Sequence, residues 1–177
     1  NHANLPYGKA SAASAEYGRW MSVILERYIS DQDPPRIRVL DDMVKLILGG
    51  AGAKEGVGLT DFGIVVIDTD GSVTKNDTLK STPEGDRFDG RWSVRRDQLE
   101  QLVRSPEFLA YHEMQRPSSP VCAACPELGV CGGGMLTHRF GKENAYDNPS
   151  VFCADQKLLI GRMRQRLAMH LTRRTAA

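Results

Sequence analysis

Residues 122–134 read CAACPELGVCGGG, and a further cysteine closes the segment NPSVFC at 148–153. Cys122, Cys125, Cys131 and Cys153 are the chain's 4 cysteines, in the pattern C-x2-C-x5-C-x21-C. Two disulfides, a zinc site and an iron–sulfur cluster compete for such a set. Disulfides fit worst: no secretory pattern is visible, and a chain of 177 residues can bury a core without staples. Zinc and a [4Fe–4S] cluster both accept four thiolates. A four-thiolate zinc site usually brings two C-x2–4-C knuckles, and here there is one. Three ligands close together and a fourth arriving alone suit a larger object, so the spacing favours the cluster and leaves zinc as the alternative. Gly132, Gly133 and Gly134 let backbone N–H groups approach sulfur. Cys153 opens an expected helix, where the N-terminal dipole favours its thiolate.

Composition narrows the rest. The chain is 41% hydrophobic and 25% charged, as in ordinary globular domains. A formal net charge of +1 gives no electrostatic case for nucleic acid or an anionic membrane surface. No apolar run approaches the roughly 20 residues needed to span a bilayer. The first residue is Asn1 rather than Met.

Working outward, Tyr17, Met21, Ile24, Leu25 and Tyr28 recur at helical spacing, with Ser11 or Ser14 as N-cap candidates. Pro34-Pro35 stops that helix. RIRVL (36–40) reads as a short strand, and a helix over about 41–48 follows, with Met43, Leu46 and Ile47 inward and Gly49-Gly50 as its stop. FGIVVID, then TDG, then SVTKNDTL is a β-hairpin signal. After a polar loop (82–93) come helices at about 96–104 and 106–115, with Ser105-Pro106 as N-cap and N1. The cysteine loop occupies 120–151. A last helix over about 153–172 carries Leu158, Leu159, Met163, Leu167 and Leu171 on one stripe and arginines on the other face, which read as solvated. The fold class is α+β: a hairpin beside helices, with a cysteine-rich loop clamped by the last helix.

The string CAACPELGVCGGGMLTHRF…DNPSVFCADQKLLI, preceded by VVIDTDGSVTKNDTLKS, resembles the SPASM region of radical SAM/SPASM peptide maturases, and most nearly the subgroup that cross-links ribosomal peptides into cyclophanes. The resemblance runs from about Pro35 to Ile160. It implies that residues 1–58 are the tail of a partial TIM barrel with linker helices, and that 59–177 form a SPASM-like auxiliary cluster domain. It also implies that Cys122, Cys125, Cys131 and Cys153 ligate the outer auxiliary [4Fe–4S] cluster. The inner auxiliary site lacks its thiolates: its G-x4-C position falls on Gly71 and Asn76, and its C-x3-C position on Cys131 and Met135.

No C-x3-C-x2-C triplet occurs in the chain. S-adenosylmethionine and a second [4Fe–4S] cluster are therefore expected on an N-terminal radical SAM domain outside these residues, and the chain alone should be inactive. A C-terminal fragment is the expectation, a stand-alone SPASM-like protein the alternative. The implied enzyme is an oxidoreductase acting on a ribosomal precursor peptide in the reducing cytoplasm, with the cluster as electron relay, scaffold or both. The rival is a zinc- or cluster-stapled, non-catalytic peptide-binding module.

Other polar residues carry less. Asp70 and Asp77 are weak candidates for a substrate cavity, against turn chemistry. Lys80 reads as an exposed strand-end lysine. His138-Arg139 reads as loop packing, with Arg139 bonding carbonyls or sulfur. Asn148-Pro149-Ser150 reads as the turn that delivers Cys153. His2, His112 and His170 suggest no metal set, and Tyr7, Trp20 and Trp92 read as packing residues.

Overall fold

The computed structural model describes residues 9–60 and 63–175; His2, Tyr7 and Phe62 lie outside the described residues. In chain order the elements are α1 (Glu16–Ser30), α2 (Arg38–Ile47), β1 (Val66–Ile67), β2 (Val73–Thr74), a 3₁₀ turn (Asp77–Ser81), α3 (Leu99–Val103), α4 (Pro106–Met114), α5 (Pro120–Ala123), α6 (Leu128–Cys131), a second 3₁₀ turn (Leu136–Arg139) and α7 (Cys153–Thr175). The molecule is mixed: helices, plus one two-stranded antiparallel sheet that pairs Val66 with Thr74 and Ile67 with Val73. No helix among the described residues is long and apolar enough to cross a membrane.

Two apolar cores form among the described residues. The first joins Met21 and Leu25 of α1, Leu40 and Met43 of α2, Val57, Val130 of α6, and Leu159, Ile160 and Met163 of α7. The second joins Val73, Leu79, Phe88, Leu102, Phe108, Tyr111 and Leu136. The cysteine segment connects them, with Val130 in one and Leu136 in the other. Its backbone is therefore held at both ends by burial, the main favourable contribution to folding.

Several expectations hold. Gly49 ends α2 in a left-handed conformation at φ 84°. Gly71 turns the hairpin at φ 87°. The Ser105 side chain caps α4, accepting the Phe108 N–H at 3.2 Å with Pro106 next to it.

Others change. RIRVL is not a strand: α2 already begins at Arg38, because Leu40 and Met43, three residues apart, face the first core together. Neither Ser11 nor Ser14 caps α1. Ser14 closes a turn on Ser11 instead, and Ala15 precedes the helix. The second hairpin strand stops after Thr74, because the Asn76 side chain accepts the Thr78 N–H at 3.0 Å and starts a 3₁₀ turn. The buried stripe of α7 is Leu159, Ile160, Met163 and the partly buried Leu167; Leu171 is exposed.

Candidate functional site

Each cysteine is placed by a local backbone device. Pro120 opens α5, and its first turn is closed by the Cys122 N–H on Ser119 O at 2.9 Å. A second turn, Cys125 N–H to Cys122 O at 3.0 Å, sets the first pair. Cys131 ends α6, its N–H on Glu127 O at 2.7 Å. Gly132 then reverses the chain at φ 65° while its N–H closes on Leu128 O at 2.7 Å. A Cβ on Gly132 would stand 1.8 Å from Gly58 O, so this position admits no side chain. The same strand of chain is held by Gly58 N–H on Val130 O at 2.9 Å.

Cys153 is the first residue of α7. It is delivered by the 148–152 segment, which three bonds fix: Asn148 Nδ2 to Arg139 O at 3.1 Å, Val151 N–H to His138 O at 2.8 Å, and Phe152 N–H to the Ser150 hydroxyl at 3.1 Å. Ser150 thus caps the turn before α7. The Phe152 ring stands edge-on to His138 at 4.9 Å.

All four cysteines are free thiols, and all four line one small cavity together with Gly133, Ser150 and Lys157. Among the described residues, no three His, Cys, Asp or Glu side chains converge closely enough to hold a single metal ion; the thiols ring the cavity instead. Burial pushes the Cys122 and Cys153 thiols up from their ordinary values, and neighbouring cysteines add to it. Cys131 is pushed up to about 11, first by burial and then by the other three cysteines, against a backbone N–H from Gly133. The raised values keep Cys122, Cys131 and Cys153 protonated, and a bound cationic group would displace those protons and offset the thiolate charge. The donor set, four sulfurs and a Gly133 amide, fits a thiolate-held metal group.

No family model matches the chain, and no curated protein matches it. Among solved structures it is similar to "Native anSMEcpe with bound AdoMet", at TM-score 0.70 and 18% identity. That match covers 86% of this chain and 41% of the other. It is also similar to anSMEcpe with bound AdoMet and the Cp18Cys peptide, at TM-score 0.73 and 19% identity, over 89% of this chain and 43% of that one. The chain shares its fold with part of anSMEcpe. It spans about two fifths of the length of anSMEcpe.

The remaining candidate residues fall elsewhere. Asp70 is exposed and accepts the Ser72 N–H at 2.8 Å. Asp77 is exposed at the start of its 3₁₀ turn, and neither carboxylate lines the cysteine cavity. Lys80 is exposed. Arg139 does bond carbonyls, donating to Met114 O at 2.7 Å and Gln115 O at 2.8 Å. Trp92 packs on the second core, while Trp20 is 58% exposed and contacts Tyr17.

The positions expected to have lost inner-cluster ligands sit against one turn. Asn76 Nδ2 donates to Glu55 Oε1 at 2.8 Å, and Met135 packs on Gly56. Sequence reasoning missed Glu55 in this role. It also missed Lys157, although its i+4 spacing from Cys153 places both on one face of α7.

Proposed function

We propose that this chain is the SPASM-like, auxiliary-cluster-binding part of a radical SAM peptide maturase. Cys122, Cys125, Cys131 and Cys153 hold one [4Fe–4S] cluster, and no second auxiliary cluster is held. The supporting observation is that four free cysteines from separated stretches of chain line one cavity, in a fold shared with part of anSMEcpe. Residues 1–58 are read as the end of a radical SAM barrel and its linker helices, and 59–177 as the cluster domain. S-adenosylmethionine and its own cluster belong to the N-terminal partner domain. The substrate is a ribosomally made precursor peptide whose side chains become cross-linked, and the setting is the reducing cytoplasm.

A cluster with four thiolate ligands has no iron open to substrate, so it supplies one-electron transfer and a covalent staple. The chain's own residues do the rest. The Gly133 amide favours the Cys131 thiolate. Lys157, on the face of α7 that meets the cavity, favours the Cys153 thiolate. Ser150 and Asn148 fix the turn that brings Cys153 to the other three. Asp70 and Asp77 are kept as candidates for the peptide-facing side of the hairpin.

Anaerobic purification tests this. The expected result is a brown protein bleached by dithionite, with iron and sulfide for one cluster per chain. Iron for two clusters would contradict the single site. A colourless anaerobic protein with stoichiometric zinc would establish the zinc-stapled binding module instead.

A further inference from the structure

Among the described residues, Arg139 is the largest fully buried side chain, only 1% exposed. One terminal nitrogen grips the Met114 and Gln115 carbonyls that end α4. Its Nε is buried with no hydrogen-bond partner, and among the described residues no carboxylate lies within ion-pairing distance of it. Among the described residues, Asp147 is the one carboxylate whose charge reaches it, and an oxygen of that group already accepts the Ser118 hydroxyl at 2.9 Å. A guanidinium stays charged at any working pH. A buried charge without a counter-charge is disfavoured enough that folded proteins pair it.

Arg139 is outside the cavity lining but braces both chain segments that carry the cysteines. The carbonyls it holds begin the connection to Ser119, α5 and Cys122. The residue before it, His138, takes the Val151 N–H through its carbonyl, and Arg139's own carbonyl takes the Asn148 side chain, so both bonds fix the segment that delivers Cys153. The Cys122 sulfur is the other group whose charge reaches the guanidinium, and the influence is mutual. In a cluster with four thiolate ligands, the thiolates outweigh the positive charge of the core. Reduction by one electron makes the site more negative still.

We infer that Arg139 is the buried counter-cation of the cysteine site: its guanidinium offsets the negative charge of the thiolate-held cluster and makes that cluster easier to reduce. This rests on the reading that the four cysteines hold a cluster. Arg139 is a positioning and potential-setting residue, touching neither peptide nor S-adenosylmethionine.

The test is a redox titration of the anaerobically loaded full chain, followed by electron paramagnetic resonance. Arg139→Gln keeps amide donors and removes the charge; Arg139→Lys keeps the charge. The expected result is a more negative midpoint potential in Arg139→Gln, with Arg139→Lys closer to wild type. An Arg139→Gln protein with full iron content and an unshifted midpoint overturns the inference and leaves the cluster reading intact. A wild-type chain without a cluster overturns both, and shows itself before any variant is made. Should Arg139→Gln fail to fold or load, arginine-¹⁵N-labelled wild type decides. The reduced cluster should show hyperfine coupling to an arginine nitrogen that survives Arg164→Lys, the exposed arginine paired with Glu127 at the cavity edge. Absence of that coupling overturns the inference.

Discussion

Lys9 Nζ lies 2.6 Å from Asp155 Oδ2, with both side chains buried, and the other oxygen of Asp155 accepts the Gly18 N–H at 2.7 Å. Lys9 also donates to Ser14 O. One carboxylate, two residues beyond Cys153, therefore ties the segment before α1, α1 itself and the first turn of α7. Removing one member of such a buried pair costs about 3–5 kcal/mol, because the survivor is left uncompensated. Lys9→Met and Asp155→Asn should each lower unfolding stability by that order in urea titration. The double variant should lose less than the sum, and strict additivity would show that the pair is not coupled.

Gly132→Ala should destabilise the protein and abolish cluster retention, while Gly129→Ala should do neither. Gly132 has φ 65°, and an added Cβ meets Gly58 backbone; Gly129, in the short helix that Gly132 caps, faces nothing within 4 Å. Thermal unfolding and iron content of the two variants, measured side by side, check this. Equal behaviour would mean that the 58–132 contact does not hold the cysteine turn.

How much of this was readable in advance depended on range. Ser105-Pro106 and Gly71 act within a few residues, and both devices stand where their local chemistry puts them. The four cysteines were legible as a set from their spacing, and all four line one cavity. RIRVL misled because β-branched residues after Pro-Pro look like a strand, whereas Leu40 and Met43 reach the core only from a helix. The Lys9–Asp155 pair spans 146 positions, and no periodicity carries such a signal. The partners of Gly132 and Asn76 were hidden for the same reason: Gly58 and Glu55 sit on a turn with no motif of its own. That Arg139 bonds carbonyls was legible from its loop; that its Nε has no partner was not.

Asn76→Ala should cost about 1–3 kcal/mol without changing iron content. Asn76 is buried, caps its 3₁₀ turn through Thr78, donates to Glu55, and places its own N–H 3.3 Å from the Tyr111 hydroxyl. Its role is to hold the hairpin against the 55–56 turn. Loss of iron in a folded Asn76→Ala protein would instead make it part of the cluster's support.

Acid should loosen the 53–58 turn through Asp42. This buried carboxylate accepts the Ala53 N–H at 2.8 Å and the Lys54 N–H at 2.7 Å. The Ala53 bond is the largest cause holding its pKa below the ordinary carboxylate value; the Lys54 bond and Lys45 act the same way, and burial opposes them. A depressed folded-state pKa means that the stabilisation is fully present above the unfolded value and is lost as pH falls through the folded one. Asp42→Asn should therefore be less stable than wild type at neutral pH, by about 1–3 kcal/mol. The gap should close as the solution is acidified below the carboxylate range. Urea titrations at neutral and acid pH measure it. A gap that stays constant would assign the loss to packing rather than to charge, and would remove Asp42 as the acid-sensitive hold on the turn that backs Gly132.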